Sequence, residues 1–201
     1  PPDAHGNCSL GIACDFTPAA WPRARVVLAH INPLMPRTRG PSIPYSAITA
    51  AIEAEAPLLE VPDPPADPAM DAVARQVAGL IGDGATLQLG LGRLQSAVLR
   101  AVADRRGLRI HSGMVSDGLL GLYESGALAD AADAVVSGVA LGSQALYRAC
   151  GQIQFREVGH THAAATLAGI DSLHAINSAL SVDLLGQVNG EFLSGRQMSG
   201  V

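Results

Sequence analysis

From Asp67 onward, short apolar runs alternate with stretches whose apolar residues recur every three or four positions, and this alternation limits the fold more than any other feature. Met70, Val73, Ala74, Val77, Leu80 and Ile81 define one amphipathic helix, ended by the GDG of residues 82–84. ATLQLGLG (85–92) reads as a strand entering a glycine turn, and RLQSAVLRAVADRRG as the helix after it. LRIHSGM, AVVSGVAL (134–141), IQFREVG (153–159), HAINSALSVD (174–183) and QVNGEF (187–192) supply further strand candidates. Strands alternating with helices predict an α/β fold built on open, mostly parallel sheets with flanking helices.

The first third of the chain is punctuated differently. ARVVLAHIN (24–32) has the β-branched density of a buried strand, NPLMPRTRGPSIP is too rich in Pro and Gly for regular structure, and SAITAAIEAEA (46–56) reads as a helix. VPDPPADP (61–68) then places four prolines in eight residues, the clearest break in composition. A domain boundary is expected there, with residues 1–62 on one side and 63–201 on the other. Asp67 followed by Pro68 is a strong helix start, a side-chain cap and then proline at the first helical position.

Of the 201 residues, 48% are hydrophobic and 15% charged, enough apolar material for a sizeable core in one or two domains. The net charge of −5 and the scatter of the 13 cationic residues leave no basic footprint, so nucleic acid is not expected as a partner. No run reaches the roughly 18–20 apolar residues of a membrane span, and no charged-then-apolar leader opens the chain. Neither a membrane nor an export route is expected, and the reading is cytoplasmic. Three cysteines, Cys8, Cys14 and Cys150, without C-x-x-C spacing, predict buried thiols rather than disulfides or zinc. The chain opens on PPDAHG, with no initiator methionine, and closes on MSGV after a strand and turn, which suggests a segment of a longer protein.

Two glycine-bearing stretches sit where α/β proteins carry chemistry. In RIHSGMVSDG (109–118) a buried strand is expected to run into a polar turn and then a helix, yet nothing from His111 to Ser116 is an acid, cysteine or lysine. Gly90-Leu91-Gly92 follows a strand and precedes a helix, so it is either a tight turn or a loop whose backbone N–H groups face an anion. It is not a dinucleotide fingerprint, because Gln95 stands where the third glycine would be. His160 and His162 would share one face of a strand, but no carboxylate follows them closely, and a surface loop without metal is the expectation. Asn177, Asp183, Gln187, Asn189 and Glu191 punctuate an apolar region, as structural hydrogen bonds or as site lining.

Taken in order, PPDAHGNCSLG, INPLMPRTRG, DGATLQLGLG, IHSGMVSDGLLGLYESGAL, ALGSQALY and INSALSVDLLGQVNGE followed by GRQMSGV resemble the acetyl-CoA hydrolase/transferase family. This is the branch of class I CoA-transferases that includes 4-hydroxybutyrate and butyryl-CoA:acetate CoA-transferases. The resemblance implies two similar α/β domains with the active site between them, in proteins of roughly twice this length. Residues 1–62 would then be the end of the first domain and 63–201 most of the second. It also implies acyl-CoA and a small carboxylate as substrates, with no tightly bound cofactor; it leaves homo-oligomerisation open.

In that family a glutamate attacks the thioester, forming an acyl-glutamyl anhydride and then a glutamyl-CoA thioester, while backbone N–H groups hold the oxyanion. The resemblance assigns those donors to Gly90, Leu91 and Gly92 and to a second turn that begins at Ser199-Gly200. The glutamate lies in a His-Thr-Glu-Met stretch that aligns with His111-Ser112-Gly113-Met114, so its position here is Gly113. Glycine has no nucleophile, and the double displacement does not carry over residue by residue. His111, Ser112, Asn177 and Gln187 are the remaining candidates for site lining.

Three readings follow. In the first, water or another acceptor attacks the thioester directly, aided by the oxyanion donors, which alone retain about 10³–10⁴-fold catalysis over water in a known hydrolase. In the second, the chain binds acyl-CoA without turning it over. In the third, a nucleophile comes from outside these residues. Ser112 as the nucleophile is a weaker variant of the first, since His111, its one candidate base, should point to the opposite face of an extended strand.

Overall fold

The computed structural model describes residues 1–198. Its centre is a five-stranded sheet in the order Gln154–Phe155, Val135–Ala140, Arg109–Val115, Thr86–Leu89, Leu173–Ile176, with every neighbouring pair parallel. Val135–Ala140, whose sequence is VVSGVA, is buried at all but one position, as expected of a strand covered on both faces. Thr86–Leu89 is the earliest strand, yet it lies between the second and the last. The chain winds outward from it to Phe155 and then returns to its other side. That reversal makes its carboxyl end the switch point of the sheet, where open α/β folds leave a crevice.

Asp67 caps the helix Pro68–Ala78 by accepting from Ala69 N at 2.9 Å, with Pro68 at the first helical position. The helix stops at Gly79, and the residues it buries are Ala74 and Ala78, while Val73 and Leu80 are exposed. The stripe read from sequence is therefore rotated by a fraction of a turn, because small alanines let this helix lie close to its neighbour Arg93–Ala101. Leu87, Val98, Leu108, Leu119, Leu122, Leu146, Ile153 and Phe155 fill the core between sheet and helices.

Several sequence expectations fail locally. Residues 46–56 are not a helix: Ala50–Glu53 is a strand paired in parallel with Leu28–Ile31, because Ala50 N and Thr49 N both reach the Val27 carbonyl. The 24–32 run is buried only at Ile31 and Asn32, while Leu28 is 75% exposed, as is Ile52 (71%) on the partner strand. HAINSALSVD divides into Leu173–Ile176 and Ser181–Val182, and QVNGEF divides between two small antiparallel ribbons, Ser181–Val182 with Val188–Asn189 and Phe192–Leu193 with Arg196–Gln197. IQFREVG yields only Gln154–Phe155 before the chain turns into the short helix Val158–Thr161.

The Pro-rich link has no helix or strand from residue 54 to 67 and is tethered to the sheet's helices. Tyr147 Oη donates to Leu59 O at 2.7 Å, and Gly118 N donates to Asp63 Oδ2 at 3.0 Å. No helix among the described residues is long and apolar enough to cross a membrane. Cys8, Cys14 and Cys150 are all free and buried.

Candidate functional site

The HSGM stretch is not a turn. Arg109–Val115 continues as a strand through all four of its residues, and the ladder pairs Ser112 with Ser137 and Met114 with Val139. This register sets Gly113 opposite Gly138, and a Cβ on Gly138 would come within 2.9 Å of the Gly113 carbonyl. Glycine at 138 thus permits the Gly113 carbonyl to approach closely in the middle of the sheet.

Gly113 lies on the floor of a cleft of about 610 Å³ at the carboxyl ends of the strands. Leu89 and Gly90 come from the end of Thr86–Leu89, Met114 and Val139 from the next two strands, and Asn177 from just beyond Leu173–Ile176. Asp15 and Phe16 approach from the N-terminal segment. That segment is pinned across the strand ends by Cys14 N donating to Gly138 O at 2.9 Å and Val158 N donating to Asp15 O at 3.0 Å. Asp15 holds φ +32°, a left-handed conformation uncommon outside glycine. Its Oδ1 and the Gly113 carbonyl both lie within 4 Å of the place a Gly138 Cβ would take.

His162 covers Gly113. A Cβ built on Gly113 would overlap His162 Cε1 and come within 2.9 Å of Nε2. The ring is exposed to the cleft at the end of helix Val158–Thr161, and its Nδ1 sits 2.9 Å from Thr161 Oγ1. The His160-Thr161-His162 stretch is therefore neither a strand nor a loop but a helical turn and its cap. Among the described residues no group of three or more His, Cys, Asp or Glu side chains is placed to hold a metal ion.

The other candidates separate. Ser112 is fully buried, and its hydroxyl donates to Leu89 O at 2.6 Å while accepting from Leu89 N at 3.3 Å. It staples two strands, and its only proton is committed to a carbonyl. His111 is buried, its ring centroid 5.5 Å from that of His160, with Nε2 lacking a hydrogen-bond partner. Burial, the largest cause, pushes its pKa below the ordinary histidine value, and the neighbouring His160 and His162 push the same way.

Of the three residues in the glycine turn, only Gly90 borders the cleft, and a Cβ there would meet nothing within 4 Å. Gly92 is the N-cap of Arg93–Ala101 at φ +135°, where a Cβ would come 2.8 Å from Gln95 Oε1. Gln95, buried, donates through Nε2 to Ser178 Oγ at 3.0 Å, tying the helix to the segment after the last strand. Gln187 stands in an exposed turn, its N–H donating to Asp183 Oδ1 at 2.9 Å, away from the cleft. Gly200 lies outside the described residues. Sequence reasoning missed Asp15, Phe16 and the role of His162, which reach the cleft from segments far apart in the chain; the strained Asp15 has no local sequence signal, and only the HTH repeat marked His162.

An open parallel α/β sheet with a cleft at the carboxyl ends of its strands, beside the switch point, defines the class of protein as an open α/β fold. The comparisons carry this to a family. The family model for the acetyl-CoA hydrolase/transferase C-terminal domain matches residues 142–201. The whole chain aligns at 36% identity with 49% of the 4-hydroxybutyrate coenzyme A transferase of Clostridium kluyveri, and at 32% with 44% of a succinyl-CoA:acetate/propanoyl-CoA:succinate CoA transferase of Fasciola hepatica. Among solved structures, 4-hydroxybutyrate CoA-transferase from Porphyromonas gingivalis matches 94% of this chain with 50% of its own, at 34% identity and a TM-score of 0.87. RipA from Yersinia pestis matches 96% of this chain with 47% of its own, at 31% identity and a TM-score of 0.89. The chain belongs to the acetyl-CoA hydrolase/transferase family. It spans about half the length of the curated relatives it matches.

Proposed function

We propose that this chain belongs to an enzyme that binds an acyl-CoA thioester in the cleft and cleaves it by direct attack of an acceptor, without a covalent glutamyl intermediate. The observation that carries this reading is the position of Gly113 on the cleft floor, at the place where the family resemblance puts the nucleophilic glutamate. The scaffold for thioester chemistry remains around it. The Gly90 N–H, at the carboxyl end of a central strand and one turn before a helix N-terminus, would face the carbonyl oxygen as charge develops there. Coenzyme A enters as part of the substrate: water takes the acyl group and frees the thiol, or a small carboxylate attacks to give a mixed anhydride whose other carbonyl the released CoA thiolate attacks, so that the CoA passes to the carboxylate.

The missing carboxylate also favours a second reading, an acyl-CoA-binding subunit without turnover. Incubating the intact protein with acetyl-CoA or butyryl-CoA, with and without acetate, separates them when free CoA and acyl exchange are followed. Consumption of thioester supports the enzyme; binding without consumption supports the subunit.

Residues 1–62 would form the end of one CoA-transferase domain and 63–201 most of the next. Two features support that division. Residues 54–67 carry no helix or strand, and Leu28 and Ile52 stand exposed on a two-stranded pair too small to be stable by itself.

A further inference from the structure

The volume that a side chain at position 113 would enter is held by the His162 ring: the built Gly113 Cβ overlaps Cε1 and lies 2.9 Å from Nε2 and 3.6 Å from Nδ1. The ring is oriented from behind. Thr161 is fully buried, and its Oγ1 lies 2.9 Å from His162 Nδ1 and 3.5 Å from the Glu157 carbonyl. In the tautomer whose Nδ1–H donates to Thr161 Oγ1, the Nε2 lone pair is the ring's free acceptor.

Resting on the acyl-CoA reading above, we propose that His162 is the general base for a water molecule that attacks the thioester, and that water is therefore the acceptor. A carboxylate acceptor is already ionised at neutral pH and gains nothing from a base. Water does, because its proton must leave as the C–O bond forms.

In the step proposed, Nε2 takes a proton from water as the oxygen adds to the thioester carbon. The carbonyl electrons move to an oxyanion facing Gly90 N–H. Collapse of that intermediate breaks the C–S bond, and the imidazolium returns its proton to the departing sulfur. One thioester and one water give one carboxylic acid and one CoA thiol. The ionisable groups around the ring are the Asp15 carboxylate across the cleft, Glu157 at the start of its own helix, and His160 and His111 beneath.

The test compares the full-length protein with its His162→Gln and Gly113→Ala variants, using acetyl-CoA and butyryl-CoA and following thiol release without any carboxylate acceptor. The expectation is that His162→Gln lowers kcat about 10²-fold or more with little change in KM, removes the acidic limb of the pH profile, and is partly rescued by added imidazole. Gly113→Ala, by displacing the ring, should lose activity in parallel while its circular dichroism is unchanged. Wild-type kcat and pH profile in His162→Gln would overturn the proposal while leaving the acyl-CoA reading intact. So would release of thiol only with acetate present, or an acyl or CoA adduct on the protein in single-turnover mass spectra. Binding of thioester with no consumption under either condition would instead remove the acyl-CoA enzyme reading itself, and this proposal with it.

Discussion

The His162 imidazole stands in the space that a side chain at Gly113 would need, so the two positions cannot both present a functional group to the cleft in this arrangement. The obstructing atoms are the far end of a rotatable side chain, and a larger residue at 113 can displace them. Gly113→Glu should therefore fold, lose thiol release to water, and gain acyl exchange with labelled acetate. Gly113→Glu combined with His162→Ala should exchange faster still, because the carboxylate no longer competes for the space. Exchange no greater than wild type in both folded variants would show that the cleft has diverged beyond this one residue.

Gly90 and Gly92 look equivalent in sequence and should behave oppositely in stability. Alanine at Gly92 would be forced into φ +135° and against Gln95 Oε1 at 2.8 Å, disturbing the Gln95–Ser178 bond. A cost of about 1–3 kcal/mol is expected, seen as a lowered urea midpoint. Gly90→Ala meets open space and should stay within about 0.5 kcal/mol of wild type.

Ser112→Ala should destabilise the chain by about 1–3 kcal/mol, since it leaves the buried Leu89 carbonyl without the donor that now reaches it at 2.6 Å. Chemical denaturation measures this directly. A neutral result would mean that another donor replaces the hydroxyl.

Stability should fall on the acidic side of neutrality. Burial keeps folded His111 neutral below the ordinary histidine value, whereas the unfolded chain protonates it near pH 6.5. Below about pH 6.5 the unfolded state therefore binds more protons, and the free energy of unfolding drops with pH until folded His111 itself titrates. The urea midpoint should be lower at pH 5.5 than at pH 7.5, and His111→Leu should narrow that gap. The carboxylates of Asp3 and Asp133, held low by their hydrogen bonds and by Arg37 and Arg109, act in a separate, more acidic range.

What the sequence determined by itself was local or periodic. Asp67-Pro68 starts a helix because cap and proline act within one turn, and Val135–Ala140 is a strand because its short β-branched run between turn residues fits one in an alternating chain. The family resemblance implies that Gly113 is the counterpart of the nucleophilic glutamate. Alanine-rich 46–56 misled because its preference is weak, and pairing with Leu28–Ile31 overrides it. HSGM suggests a turn locally but is a strand, because it pairs with Val135–Ala140 and its glycine sits under the His162 ring, neighbours that no local pattern reveals. Only the tertiary structure could bring Asp15 and His162 to one cleft. Their approach depends on a segment pinned across the strand ends and on a helical turn behind the sheet, and such contacts between distant residues leave no periodicity in the chain.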